Sequence, residues 1–246
     1  MRRQVCGPAL AIGLLCAPLL PPPALARPSS SDGASLLLEA ASDGRRRGIS
    51  WSDGAPVLHA AVSLPATPSL ALEAGVTSLR GGNRHGNADA VIDLGARYTV
   101  EAGAFQIEAL GGYHLFPGAS GMGYGEVGAS LGYRIGPVMV DLFSRYAPEQ
   151  SSLGGDNLVL GTGLNLGIPQ TPLTLSAHLA HSSGASDDPI RARRLRPDGS
   201  YWDHGVALDY YRGRWSAGLR YSNSSIDRRT ECHAGASLIA RLGLSL

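Results

Sequence analysis

Hydrophobic and polar side chains alternate with a period of two along most of this chain. In the stretch 90–100, one face consists of Ile92, Leu94, Ala96, Tyr98 and Val100. The positions between them carry aspartate, glycine, arginine and threonine. Strict alternation over such a length is typical of a β-strand with one apolar and one polar face. Because the pattern recurs almost to the last residue, the sequence predicts an all-β protein.

About twelve such segments follow one another along the chain. Their spans are 34–43, 54–64, 69–79, 89–100, 103–114, 124–135, 137–147, 156–167, 172–182, 200–211, 214–223 and 235–246. A tilted β-strand that crosses a bilayer needs about 9–11 residues. The length of these segments therefore favours strands that cross a membrane.

The connections between the segments alternate between long and short. Long ones lie at 44–53, 80–88, 115–123, 148–155, 183–199 and 224–234, and short ones at 65–68, 101–102, 136–137, 168–171 and 212–213. Outer-membrane barrels have short periplasmic turns and longer external loops. The alternation predicts a closed, antiparallel, up-and-down transmembrane β-barrel of about twelve strands, with both termini at the short-turn end.

The first 26 residues have a different pattern from the rest. Arg2 and Arg3 precede an apolar stretch without a charge before Arg27, and Ala24-Leu25-Ala26 provides a small-x-small cleavage site. These are the parts of a secretory signal peptide. We expect a signal peptide at residues 1–26 and a barrel domain at residues 27–246, which indicates localisation in the outer membrane of a Gram-negative bacterium.

Charge and cysteine content exclude several kinds of function. Without Arg2 and Arg3, 19 basic residues face 20 acidic ones, a net charge of −1 that argues against a nucleic-acid partner. Cys232 is then the one remaining cysteine, so a disulfide framework is excluded. Its neighbour His233 does not complete a set of metal ligands with the usual spacing. We predict neither a metal site nor a cofactor.

Charged residues within the segments fall on the face opposite the apolar one. On a lipid-facing surface, an arginine near the bilayer centre costs about 2–4 kcal/mol. We therefore expect these side chains to line the pore: Asp93, Arg97, Glu108, Glu126, Arg134, Asp141, Arg145, Arg220 and Arg241. Many glycines share that face, which favours open space, whereas pairing between arginine and carboxylate groups favours a plugged lumen. The sequence leaves this question open.

Several of the predicted external loops are rich in arginine. In the first and the longest of them, the basic cluster comprises Arg45, Arg46, Arg47, Arg191, Arg193, Arg194 and Arg196. Guanidinium groups bind phosphates and carboxylates through two parallel hydrogen bonds. We expect contact with lipopolysaccharide phosphates or attraction of anionic solutes to the mouth, with solvated loop charge as the alternative.

One pair of residues suggests catalysis. His181 and Ser183 lie at a strand end beside the longest loop, and a histidine can activate a neighbouring serine when a third group orients it. The chain has no G-x-S-x-G motif. We therefore predict that the protein is not an enzyme and has no catalytic residues, and keep an outer-membrane lipid hydrolase as a minor alternative.

Residues 42–54, SDGRRRGISWSDG, resemble the sequence near the mature N-terminus of the TorF family of porins from Gram-negative bacteria. The matching positions are Ser42, Asp43, Arg47, Gly48, Ser50, Asp53 and Gly54. Gly44 and Arg46 stand where that family usually has aromatic residues. Similar stretches are Tyr-Gly-Glu at 124–126 and Leu-Ser-Ala-His at 175–178. The resemblance implies an outer-membrane barrel with a diffusion function and provides no substrate or catalytic residue.

Together these features predict a porin-like channel for passive diffusion of small hydrophilic solutes. Its expected partners are those solutes, outer-membrane lipids and lipopolysaccharide, and homo-oligomer formation is left open. The alternative is a non-conducting barrel that acts structurally or through its external surface.

Overall fold

The computed structural model describes residues 33–246, in which twelve antiparallel strands close into a barrel. These strands are β1 (Ser35–Ala41), β4 (Val57–Pro65), β5 (Leu70–Ser78), β6 (Ala90–Ala102), β7 (Phe105–Leu115), β8 (Tyr124–Ile135), β9 (Val138–Gln150), β10 (Gly155–Gly167), β11 (Leu173–Ser183), β12 (Tyr201–Arg212), β13 (Trp215–Ser224) and β14 (Ser237–Ser245). A separate hairpin consists of β2 (Arg45–Arg46) and β3 (Ile49–Ser50). The predicted signal peptide, residues 1–26, lies outside the described residues.

The barrel is closed by the first and last strands. β1 pairs with β14 on one side and with β4 on the other, so that Leu38 faces Leu244 and Ala60. Every other barrel strand pairs with the barrel strands before and after it in the sequence. Closure removes the free edges through which sheets aggregate. The predicted fold class is confirmed, and all twelve predicted segments begin and end within three residues of a barrel strand.

The two faces of the wall have opposite chemical character. Leucines at the middle of the strands point outward, and Leu142 and Leu160 are 60% and 53% exposed. On the opposite face, charged groups such as Glu108 are buried inside the barrel. Period-two alternation produces this arrangement because successive side chains of a strand point to opposite faces.

Three turns at one end of the barrel contain only two residues each, at 103–104, 136–137 and 213–214. Their first residues, Gly103, Gly136 and Gly213, have φ values of 64°, 57° and 59°. Tight hairpin turns need positive φ, which glycine adopts without steric cost. These turns identify the end that was predicted to be periplasmic.

The other end carries the longer connections, with one exception. The predicted long connection 148–155 is wrong, because β9 extends to Gln150 and β10 begins at Gly155. The side-chain amide of Gln150 bonds to both the backbone N–H and the carbonyl of Gly125 on β8, at 2.7 and 2.9 Å. This bond continues the sheet beyond Pro148.

The long connections pack together over the loop end of the barrel. Their buried side chains form a hydrophobic cluster, here called the lid core, with inward-facing residues of β6, β8 and β9: Trp51, Leu79, Ala88, Val91, Phe116, Tyr124, Ala147, Leu153 and Leu195. Two short helical segments lie in these connections, a 3-10 helix (Asn83–His85) and α1 (Pro189–Ala192). Within residues 33–246, no helix is both long and apolar enough to cross a membrane.

Candidate functional site in the barrel lumen

The first long connection turns inward and places its hairpin inside the mouth of the barrel. The guanidinium group of Arg45 donates to the carbonyls of Gly235 and His233, at 2.6 and 2.8 Å, and the Ser50 N–H donates to the His233 carbonyl at 3.2 Å. The hairpin is thereby attached to the last connection, between β13 and β14.

The tip of the hairpin rests against the wall at Gly48. This glycine has φ of 73°, and a Cβ at its position would lie 2.8 Å from the Cβ of Asp203 on β12 and 3.0 Å from that of Ser224 on β13. Real Cβ atoms do not approach so closely without displacing a neighbour. Glycine is therefore required here both for the turn and for the contact.

Two arginines of the hairpin reach the opposite wall and form what we call the mouth network. Arg46 binds Asp93 through two parallel hydrogen bonds of 2.5 and 3.2 Å, and Arg47 binds Glu126. His114 links the two carboxylates, with its Nδ1 atom 2.6 Å from Asp93 and its Nε2 atom 3.7 Å from Glu126. The five side chains are largely shielded from solvent and satisfy one another's charge.

Further ion pairs lie deeper in the lumen. Arg97 donates to Glu73 at 3.1 Å, and its Nη1 atom lies 3.5 Å from Glu108. On the other side, Arg241 donates through Nε to Asp209 at 2.8 Å. Acidic and basic groups thus lie side by side on the inner wall, which gives the lumen charges of both signs at short range.

The structure places all nine predicted pore-lining residues on the face opposite the exposed apolar side chains of their strands. Four of them, Asp93, Arg97, Glu108 and Arg220, are buried, whereas Arg134 is exposed near the β8–β9 turn. Their influence on conductance and selectivity stays a prediction.

The seven arginines of the predicted external basic cluster do not form one exposed cluster. Arg45, Arg194 and Arg196 are 5%, 7% and 3% exposed, whereas Arg191 and Arg193 are exposed. The physical reason is that loop carbonyls and lumen carboxylates need donors once the loops fold inward. No sequence signal distinguishes an arginine that turns inward from one that points to solvent.

A neutral histidine and an arginine stabilise the lid core. Arg194 donates through Nε to Nδ1 of His85 at 2.9 Å, and its guanidinium group lies 4.6 Å from the ring centre of Phe116. His85 is stacked on the same ring, 4.6 Å away. Burial, followed by the positive charges of Arg194 and Arg84, holds the pKa of His85 well below its usual value. Burial lowers the pKa of Arg194 to about 10, so it remains charged at neutral pH.

The residues of the proposed hydrolase pair point away from the lumen. His181 and Ser183 lie on the outward face of β11, with Leu179, and the His181 ring packs against Trp202 at 4.7 Å. The inward positions of this strand hold His178 and Ser182. Among residues 33–246, no group of three or more His, Cys, Asp or Glu side chains has an arrangement suited to a metal ion.

Two adjoining cavities lie in the lumen beside the hairpin. The first, here called the wall cavity, runs along β9 to β13 and is lined by the side chains of Asp141, Asn165, Ser176, His178 and Arg220. The second shares His178 and Arg220 with it and is otherwise bounded by the hairpin, at Arg45, Arg47 and Gly48, and by the wall. The hairpin therefore borders a space that continues into the lumen.

The fold resembles those of solved outer-membrane porins and channels. The NanC porin superposes with a TM-score of 0.61 at 12% identity, over 86% of this chain and 98% of that one. The KdgM porin gives a TM-score of 0.56 at 12% identity, over 86% and 97% of the two chains. The COG4313 outer membrane channel from Pseudomonas putida F1 gives 0.52 at 11% identity, over 89% and 97%. At such low identity these likenesses show the fold alone.

Sequence comparison identifies a family without an assigned function. No curated protein matches the chain significantly. The profile of Gcw_chp, described as a bacterial protein of unknown function, matches residues 26–240. This match and the porin-like fold support the family resemblance in its general form and not the narrower TorF name. Since the profile extends over almost the whole barrel, the chain belongs to the Gcw_chp family of bacterial proteins.

Proposed function

We propose that this protein is a porin-like channel of the outer membrane that lets small hydrophilic solutes diffuse passively, and that the hairpin restricts its mouth. The observation that carries the proposal is a charged inner wall with cavities inside a closed barrel whose outer wall is apolar. Export by a signal peptide at residues 1–26 is part of the proposal. The fold similarity to porins and channels supports it.

The passage is narrow for a barrel of this size. Eight strands leave room only for side chains or one small ligand, whereas sixteen to eighteen leave an aqueous channel. Twelve strands lie between these cases, and here the hairpin and the lid core occupy part of the mouth. We therefore expect small currents and a low size limit for solutes.

Conductance of the purified protein in planar bilayers tests the proposal. In potassium chloride we expect discrete current steps, absent from a mock preparation. In a variant with residues 45–50 replaced by a Gly/Ser segment of equal length, the steps should be larger. If neither protein conducts, the channel proposal fails and the non-conducting surface barrel replaces it. The lid core is the observation that favours this second candidate.

The membrane assignment predicts unequal effects of arginine on stability at two adjacent positions of β8. Leu131 is 45% exposed on the apolar outer face, and Ser130 faces the lumen opposite Glu108. Leu131→Arg should destabilise the inserted barrel by about 2–4 kcal/mol, since it places a guanidinium group in lipid. Ser130→Arg, the matched control, should cost little because it gains a carboxylate neighbour. Urea unfolding in liposomes measures both, and equal effects would contradict a lipid-facing outer wall.

Two arginines of the predicted external basic cluster are exposed and can still contact lipopolysaccharide phosphates. Arg191 and Arg193 lie in the longest connection and remain available to phosphate groups. We include lipopolysaccharide phosphates as partners of these two residues in the proposal, with solutes and lipids as the other partners.

A further inference from the structure

Charges of opposite sign line the same cavity below the hairpin. The wall cavity has the carboxylate of Asp141 on β9 and the guanidinium group of Arg220 on β13. Neighbouring strands lie about 4.8 Å apart, so four strand steps separate the two backbones by roughly 19 Å along the curved wall, and the gap between the charged groups is shorter because both side chains extend into the cavity. We propose that the wall cavity binds short zwitterionic solutes of peptide size, with the ammonium group at Asp141 and the carboxylate at Arg220. The inference rests on the proposed function, since the solute must enter the lumen.

Asp141 differs from the other acidic groups of the lumen. Within residues 33–246 its carboxylate makes neither a hydrogen bond nor an ion pair, whereas Asp93 and Glu126 both bind arginines of the hairpin. The neighbouring residue across the strand pair is Gly163, where a Cβ would lie 2.6 Å from Oδ1 of Asp141. Glycine therefore makes room for the carboxylate along the wall. The charges of Arg145 and His178 act on it only at longer range, so this half-buried carboxylate can still bind the cationic group of a solute.

The middle of the cavity has the chemistry to bind peptide groups. Ser176 donates through Oγ to Oδ1 of Asn165 at 2.9 Å, which leaves the amide N–H groups of Asn165 as donors for a solute carbonyl. His178 lies 3.2 Å from Asp203, and a Cβ at Gly205 would lie 2.7 Å from the His178 ring. The glycine thus keeps the ring along the wall and the centre of the cavity open.

The adjoining charges favour a solute that carries both signs. Arg45 and Arg47 border the second cavity, which shares Arg220 with the first. A simple cation would be attracted by Asp141 and repelled by the guanidinium group of Arg220, and a simple anion would meet the reverse. A zwitterion aligned with this field is attracted at both ends.

Partial blocking of single-channel current by defined peptides tests the site. We expect triglycine to interrupt the potassium chloride current at concentrations at least tenfold lower than acetyl-triglycine amide, which is of similar size and uncharged. Asp141→Asn should raise the triglycine concentration needed about tenfold, the loss of one charge-assisted bond. Asp187→Asn, which removes an exposed loop carboxylate, serves as the control and should leave it unchanged.

A second measurement separates failure of the site from failure of the channel. Binding of triglycine to the folded protein in detergent is measured by calorimetry for the same three proteins, after checking each for the heat-dependent gel shift of a barrel. Binding weakened by Asp141→Asn supports the site even if no current flows, in which case the channel proposal alone fails. Equal binding of charged and uncharged peptides, or equal effects of the two substitutions, overturns the site whether or not the protein conducts.

Discussion

Replacing Arg46 and Arg47 together by alanine is expected to raise the single-channel conductance several-fold. These two residues hold the hairpin against β6 and β8 through Asp93 and Glu126. Removing one partner of a buried ion pair costs about 3–5 kcal/mol because the other charge is left without compensation. The hairpin then loses its attachment to β6 and β8, and the two released carboxylates attract water and cations into the space.

The control for this variant also removes two positive charges, but outside the lumen. Arg191 and Arg193 are exposed in the longest connection, so Arg191→Ala with Arg193→Ala should leave the conductance unchanged. Lysine at positions 46 and 47 should give an intermediate conductance, because lysine retains the positive charge but cannot form bidentate hydrogen bonds with a carboxylate. A double alanine variant that folds, inserts and conducts like the wild type would show that the hairpin does not restrict the path.

The barrel itself was predictable because one physical constraint acts along the whole chain. Every strand of a membrane barrel lies between lipid and lumen, so the alternation in β6 is repeated in β14, far away in the sequence. The inward position of Asp93 or Arg241 follows from the same period. The prediction did not need the β-propensity of individual residues, since lipid on one side and the lumen on the other impose the alternation on every strand.

The hairpin inside the mouth was not predictable, because no periodic pattern in the sequence describes it. β2 and β3 have two residues each, too few to establish a period. Arg46 meets Asp93 at a sequence separation of 47 residues, and no local pattern encodes such a contact. The sequence therefore predicts that the three consecutive arginines belong to an external basic cluster, with solvated loop charge as the alternative. The tight turn at Gly48 is the one local feature that indicates a hairpin.

The lid core illustrates the same limit with apolar residues. Trp51, Phe116 and Leu195 come from three connections: Trp51 lies between two serines, Leu195 lies between two arginines, and Phe116 directly follows the last residue of β7. Only the closed barrel brings them together over one opening. For this reason the question of an open or a plugged lumen could not be answered from glycine content, and the structure shows a mouth that is occupied by its own loops.

Acidification is expected to open the mouth, with His85 as the sensing group. His85 is fully buried between the Trp51 and Phe116 rings and accepts a hydrogen bond from Arg194. The pKa of His85 is held well below its usual value, by burial first and then by Arg194, Arg84, Arg46 and His114. In an open lid the ring is hydrated and its pKa returns to about 6.5.

The sign of the effect follows from which state binds the proton. Above pH 6.5 both states are neutral at this position, and pH has no influence on their balance. Below pH 6.5 His85 is protonated in the open state and stays neutral in the closed state. The free energy that favours the closed state therefore falls by about 1.4 kcal/mol for each pH unit, which is a tenfold change in the ratio of the two populations. The closed state becomes less favourable in this way until the pH reaches the low pKa that His85 has in the closed state.

Open probability between pH 7.5 and pH 5, recorded in planar bilayers, measures this effect. We expect it to rise as the pH falls in the wild type and not to rise in His85→Gln. Glutamine remains neutral and can still accept from Arg194, so it separates the charge of His85 from its packing. His114 also faces this region, but its protonation strengthens its contacts with Asp93 and Glu126 and so favours the closed mouth. An equal rise in both proteins would remove His85 from the mechanism.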